Sequence, residues 1–425
     1  VIIALLSISI LLVLLILGTP MVAALLFAVA FNFVMNGQWS MMVPQTMVSG
    51  VSQFTLIALP MFVLAGTIMN AGGVSGRLFD FARALVGWLR GGLAQVNILT
   101  SMFFGGMIGS STADLAGSGS IVIPAMKREG YSSEVSAAIS ASSSGIGPLI
   151  PPSSPMILYS AVTGTSLGAL FIAGLIPGLI LGAIFMALVS YLAIRRKWQR
   201  HGSFSTAEII RTGRRGILAF GLPAIIVGGL VFGVFTPSES GAFAVVYAII
   251  LSMFIFRSLS LKGLYRVFVV ALTMTGELLV IVSLSFALGS SLSSAHVPQA
   301  LAELIDLFTF GDNMFMRLAL LMLLAIIAGM FLDPLIPVLV PVILPTLILY
   351  DVDLLHFGVL MVMAVVIGQL TPPLAIALII TSRIANTDQM RIFVANLPFF
   401  GAILLFTLML LLFPQIATWL PSQMR

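Results

Sequence analysis

Four residues of this chain recur at a fixed interval: Pro124, Gly147, Pro151 and Pro152 reappear 221 positions later as Pro345, Gly368, Pro372 and Pro373. Both copies set Gly-x-x-x-Pro-Pro inside an apolar run, Gly147 to Pro152 and Gly368 to Pro373. Proline lacks a backbone N–H and its ring clashes with the carbonyl four residues back, so a helix entering either motif breaks there. A duplicated break of this kind restricts the chain to a repeat-built membrane architecture, and paired broken helices mark a binding site near the bilayer midplane.

Composition requires the bilayer. Hydrophobic residues make up 60% of the 425 and charged residues 8%, with a mean hydropathy of +1.18, which leaves too little charge to clothe a soluble domain of this length. The apolar stretches, mostly of roughly 15 to 22 residues, must be helices, because lipid offers no partner to an open backbone. The fold class is therefore an all-α integral membrane protein. The absence of cysteine excludes disulfides and thiolate chemistry, and His201, His296 and His356 are too scattered to form a metal cluster. No phosphate-binding Gly-x-x-x-x-Gly-Lys loop, Gly-x-Ser-x-Gly elbow or His-Glu-x-x-His helix is present, so neither an ATPase nor an enzyme is expected. No basic stretch is interleaved with stacking aromatics, which argues against nucleic-acid binding. Val1 to Leu17 lacks a basic leader region and a small-residue cleavage site, and reads as a membrane span.

Positive charge sets the topology. Arg77, Arg83 and Arg90; Lys127 and Arg128; seven residues from Arg195 to Arg215; Arg257, Lys262 and Arg266; and Arg383 and Arg391 together hold 17 of the 19 Lys and Arg, with Arg317 and Arg425 left over. Assigning all five groups to the cytoplasm gives a consistent path. Spans fall near 1–17, 20–36 and 54–70, followed by a re-entrant hairpin at 93–126, a broken span at 132–170 and a span at 172–194. The second half follows with spans near 216–235, 239–256 and 271–294, a hairpin at 313–350, a broken span at 354–386 and a last span at 395–413. Each element of the second half then crosses opposite to its counterpart, so the repeat is inverted. Thr19-Pro20 and Thr236-Pro237 punctuate the first turn of each half. The interfacial arm of the first half carries Arg77, Asp80, Arg83 and Arg90, whereas that of the second carries Glu303, Asp306 and Asp312.

Two constellations carry candidate chemistry. At the first hairpin tip, Gly109-Ser110-Ser111-Thr112-Ala113-Asp114 faces the break at Gly145 to Ser154, and hydroxyls with unwound carbonyls suit a hard monovalent cation. Ser142, Ser143 and Ser144 fit helix packing equally well. At the second tip, Gly329 to Pro334 faces Gly368-Gln369-Leu370-Thr371-Pro372-Pro373. Asp333 is the sharpest single residue, because a carboxylate at membrane depth costs several kcal/mol unless it is paired or coordinated. Glu277 reads as near the cytoplasmic interface beside the 257–266 loop and ranks behind Asp333, as does Asp114. Arg383 fits a topology anchor as well as a ligand.

At these residues the chain resembles the large membrane subunit of tripartite ATP-independent periplasmic (TRAP) transporters. The similarity runs along essentially the whole chain and is most specific at Gly109 to Asp114, Ile121 to Met126, Gly147 to Ser154, Thr236 to Ser240 and Asp333 to Pro337. Ser238 stands where many members carry Thr, which keeps the hydroxyl. The resemblance implies an elevator transporter with two re-entrant hairpins and two broken helices, in the bacterial inner membrane. A Na⁺ gradient would drive uptake of an organic acid of the sialic-acid, sugar-acid or C4-dicarboxylate type. The implied partners are a small four-helix membrane subunit and a periplasmic substrate-binding protein.

Carried over by position, about two Na⁺ would be transported. One would be held by Ser110 and Thr112 with the backbone at Gly145, Gly147 and Ile150, the other by Asp333 and Thr371 with the backbone at Gly329 and Gly368. Substrate would lie between the tips, against Ser111, Ser154, Pro152, Gln369 and Pro373. The matching division is 1–90 for scaffold helices and the first arm, and 91–171 for the first hairpin and broken helix. Scaffold, basic loop and second arm occupy 172–312, the second hairpin and broken helix 313–390, and the final scaffold helix 391–425. A stand-alone ion-coupled carboxylate carrier, an ABC-type permease subunit, a channel and an intramembrane hydrolase are the competing readings.

Overall fold

The structure is a computed structural model and describes residues 2–37, 42–198, 200, 203–309 and 313–424. Val1, His201, Asp312 and Arg425 lie outside these, as does the side chain of Arg215. Among the described residues every regular element is helical, and the one extended pairing is an isolated bridge between Arg90 and Arg200.

The first half runs α1 (Ile2–Ile16), α2 (Met21–Met35), α3 (Met42–Val51), α4 (Ala58–Ala71), α5 (Val74–Val86), α6 (Gly92–Ile108), α7 (Ser111–Asp114), α8 (Ser120–Arg128), α9 (Ser133–Ser144), α10 (Ser154–Thr163) and α11 (Leu167–Arg195). An amphipathic connector, α12 (Thr206–Gly216), leads to α13 (Gly221–Val231), α14 (Pro237–Ile249), α15 (Leu261–Ser294), α16 (Val297–Phe308), α17 (Met314–Gly329) and α18 (Leu335–Leu349). The chain closes with α19 (Leu354–Leu370), α20 (Ile376–Ala385), α21 (Gln389–Leu412) and α22 (Gln415–Ser422). Five helical stretches are long and apolar enough to cross a bilayer, Phe54–Ala71, Leu167–Arg195, Pro237–Ile255, Leu261–Ser294 and Gln389–Leu412, and shorter apolar helices fill the space between them. This is a multi-pass membrane protein.

The order of elements in α1–α11 returns in α13–α21, with α3 and α4 together standing for α15. Residues 42–51, outside the span expected at 54–70, form helix α3. Where the second half has one 34-residue helix, the first half is interrupted at Ser52 and Gln53. The span expected at 271–294 begins at Leu261, because the Ser260 hydroxyl accepts from Gly263 N at 3.1 Å and starts the helix early. Lys262 and Arg266 are tolerated there because their long stems carry the charge toward the headgroups. The first broken span ends at Thr163 rather than near 170, where Gly164 takes a left-handed φ of 73° and Ser166 caps α11. The C-terminal helix α22, packed on α11, was not anticipated.

Polar pairs hold two groups of helices. Asn32 of α2 donates to Ser7 of α1 at 2.7 Å and accepts from Ser291 of α15, and Ser283 of α15 donates to Met47 O of α3 at 3.0 Å. In the second group, Gln95 of α6 donates to Met186 O and Ser190 Oγ of α11, both at 2.9 Å. Ser142 of α9 bonds Asn396 of α21, and His356 Nε2 of α19 lies 2.9 Å from Leu410 O of α21. Such bonds carry weight in lipid, where apolar surface gives helices little reason to associate. On the second arm, Asp306 and Glu303 are exposed, and Asp306 accepts from Arg317 at 3.1 Å. Arg317, left over from the topology groups, is thus paired with an acid of that arm.

Candidate functional site

The two breaks are built by the same close approach. Gly147 sits against Gly105 of α6, where a Cβ on Gly105 would come within 2.8 Å of the Gly147 Cα. Gly368 sits against Gly329 of α17, where a Cβ on Gly368 would lie 2.4 Å from the Gly329 carbonyl oxygen. Only glycine permits backbones this near. A Cβ on Gly145 would meet Val366 Cγ1 at 2.5 Å, so α9 and α19 also touch each other at their breaks.

In the first half, α6 ends at Gly109 in the left-handed region, φ 60°, with the Pro152 carbonyl pressed against it. Gly109 O accepts from Ser154 N at 3.3 Å, which fastens the hairpin tip to the start of α10. Ser153 caps that start: its hydroxyl donates to Pro148 O at 2.5 Å and accepts from Met156 N at 3.3 Å. Ser110 Oγ and Thr112 Oγ1 lie 3.0 Å apart, and Ser110 N is 4.0 Å from a Cβ built on Gly147. In the second half, Gln369 Nε2 donates to Asp333 Oδ2 at 3.3 Å, joining the tip to the break.

A cavity of about 290 Å³ brings both halves together. Ser110, Ser111, Thr112 and Ser154 line it from the first half, and Asp333 and Gln369 from the second. Ser111 is 3% exposed and its hydroxyl has no hydrogen-bond partner among the described residues, as is true of Gln369 Oε1. Six of the fourteen sequence-derived site residues therefore share one cavity. Thr371 does not line it, and its hydroxyl turns back to Ile367 O at 2.6 Å. Pro373 is exposed and Pro152 stays behind the tip, so neither borders the cavity. Gly145, Gly147 and Ile150 are buried behind the first tip, and Gly329 and Gly368 form the packed floor of the second.

Other candidates resolve differently. Ser142, Ser143 and Ser144 are buried in helix packing: Ser142 bonds Asn396, Ser143 is within 3.0 Å of Ser101 Oγ, and Ser144 donates to Ala141 O. Asp114 is 2% exposed, accepts from Ser118 at 2.5 Å where a π-helical turn begins, and does not line the cavity. Arg383 is exposed in the last turn of α20. Among the described residues no cluster of three or more His, Cys, Asp or Glu is placed to hold a metal. The residue undervalued by sequence is Glu277. It occupies the midpoint of α15, eleven residues or about 16 Å from Arg266, and it lines the cavity. The length of α15 hid this, since the helix starts ten residues before the apolar run that suggested it.

The family model described as the tripartite ATP-independent periplasmic transporter, DctM component, matches residues 8–416. The sialic acid TRAP transporter large permease protein SiaM of Vibrio cholerae is 34% identical over 95% of each chain. The C4-dicarboxylate TRAP transporter large permease protein DctM of Pseudomonas aeruginosa is 35% identical over 87% of this chain and 86% of its own. The ectoine TRAP transporter large permease protein TeaC of Halomonas elongata is 34% identical over 96% of each. Among solved structures, the Alcanivorax borkumensis YdaH transporter aligns with a TM-score of 0.55 at 15% identity over 87% of both chains, a likeness of fold. These relatives are permeases and not enzymes, as the absence of catalytic motifs led one to expect. With its duplicated broken helices and a match that runs nearly end to end, the chain belongs to the DctM family of TRAP transporter large permeases.

Proposed function

We propose that this chain couples inward movement of about two Na⁺ to uptake of a small organic acid across the bacterial inner membrane, as the large subunit of a tripartite assembly. The observation that carries the reading is the convergence of both repeat halves on one cavity, with hydroxyls from the first and a carboxylate and an amide from the second. Unwound backbone beside Ser110 and Thr112 supplies neutral oxygens for one cation. Asp333 supplies a charged oxygen for the other, offsetting the cost of a carboxylate at membrane depth. Thr371 would contribute only through its backbone, given where its hydroxyl points. Two Na⁺ moving down 100 mV contribute roughly 4.6 kcal/mol, at about 2.3 per charge, before any concentration gradient.

The repeat is inverted and the motion is of the elevator type, with re-entrant hairpins α6–α8 and α17–α18. Helices α11 and α21, assigned to the scaffold by sequence, move with the hairpins and broken helices; their hydrogen bonds to α6, α9 and α19 support that grouping. The scaffold then consists of α1–α4 and α13–α15, with α5 and α16 as the arms. The solute is delivered by a periplasmic binding protein, and a small four-helix membrane subunit completes the permease. Relatives with names for sialic acid, a C4-dicarboxylate and ectoine leave the solute open within this class.

The test is reconstitution of the chain with its small subunit in liposomes, with a Na⁺ gradient imposed and the binding protein present or absent outside. Uptake that needs both the gradient and the binding protein is expected, and Asp333→Ala should abolish it while the protein still inserts. Uptake that proceeds equally well without Na⁺, or a fully active Asp333→Ala variant, would overturn the mechanism.

A further inference from the structure

The cavity wall contributed by α15 differs in character from the wall formed by the hairpins. Glu277, an exposed side chain, lines it from the midpoint of a helix of 34 residues, where an unpaired carboxylate in a membrane span calls for a function. The side chain has no ion pair among the described residues, and no Lys, Arg or His lines the cavity. Asp333, the other acid lining it, already accepts from Gln369. Ser111, buried and with an unpartnered hydroxyl, faces the same space from the first tip. A solute in this cavity therefore meets the unpartnered Ser111 hydroxyl and the unpaired Glu277 anion in one space.

We propose that Glu277 selects a zwitterionic solute, holding its cationic centre while the hydroxyls of Ser111 and Ser154 hold its carboxylate. The proposal rests on the transport reading above and narrows its substrate class. A dianion here would face two carboxylates with only the co-transported cations to offset them, and like charges disfavour the wrong partner strongly in a site of low dielectric. A zwitterion is neutral overall, satisfies the orphaned Ser111 hydroxyl and gives Glu277 the counter-charge that the protein withholds. A hydrogen-bonding but uncharged residue at 277 would keep the shape and lose the selection.

The experiment uses the purified complex of this chain with its small subunit, followed by thermal unfolding in NaCl or KCl. Three carboxylate zwitterions (ectoine, β-alanine and proline betaine), the monoanion isethionate and the dianion succinate are titrated in turn. In NaCl, at least one zwitterion should stabilise the wild type at a concentration at least tenfold below that needed for succinate. Glu277→Gln should raise that concentration at least tenfold without a comparable loss for succinate, and Glu277→Asp should restore part of the difference. A wild type that prefers succinate or isethionate, that responds to no zwitterion, or whose order of preference survives Glu277→Gln would overturn the proposal. Stabilisation by Na⁺ over K⁺ without solute reports the cation sites separately. Its absence would sink the coupled-transport reading, while the order of solutes would still judge Glu277.

Discussion

Gly368→Ala is the most direct probe of the second break. The new methyl group would lie 2.4 Å from the Gly329 carbonyl oxygen, 2.5 Å from its carbon and 2.9 Å from its Cα. All three are backbone atoms, so no rotamer change relieves the contact. A carbon next to a carbonyl oxygen settles near about 3.3 Å, which requires α17 and α19 to separate by about 1 Å. Overpacking of this kind costs about 3 kcal/mol at the upper end of the usual range, and the better helix propensity of alanine returns about 1 kcal/mol. The net of about 2 kcal/mol falls on the seam that positions Asp333 against Gln369, and corresponds to roughly 30-fold in apparent Na⁺ affinity if it is felt wholly at the site. Thermal stability of the purified complex as a function of Na⁺ concentration measures this. Gly401→Ala is the control, because a Cβ there meets nothing within 4 Å. A Gly368→Ala protein whose half-saturating Na⁺ concentration and melting temperature match those of wild type would refute the close-packed floor and its role in cation binding.

Two further tests address the architecture. With no native cysteine, single cysteines replacing Arg83 and Glu303 can be labelled cleanly; the first should react only from the cytoplasm and the second only from the periplasm, and labelling from one common side would overturn the inverted repeat. Asn396→Ala removes the bond from α21 to Ser142 of α9 and should lower stability by about 0.6 to 1.7 kcal/mol, read as a fall in melting temperature; an unchanged value would show that α21 is held to α9 by packing alone.

In the topology we propose, the acidic residues of the second arm face the side from which a binding protein would dock. Glu303 and Asp306 are exposed on α16, and Asp351 and Asp353 flank the turn into α19. Such an acidic face would steer a complementary partner at a rate that falls as salt rises.

What the sequence determined by itself follows from chemistry local to the chain. Apolar runs relieved by few charges force helices in lipid, and the paired prolines of Gly147 to Pro152 and Gly368 to Pro373 force breaks by removing two adjacent donors, whereas the single prolines Pro177, Pro345 and Pro398 are accommodated inside helices. The breaks located both broken helices, the charge-based path placed the hairpins, and the resemblance brought Ser110, Ser111, Thr112, Ser154, Asp333 and Gln369 together as candidates. Whether such residues share a space depends on contacts between segments far apart in the chain, and only the tertiary structure decided that. It turned the Thr371 hydroxyl back onto its own helix, left Pro373 exposed and withdrew Ser142 into a bond with Asn396, since a hydroxyl in lipid serves packing as readily as binding. It also moved Glu277 from an assumed interface into the cavity, because the start of α15 is fixed by the Ser260 cap and not by where hydrophobicity begins.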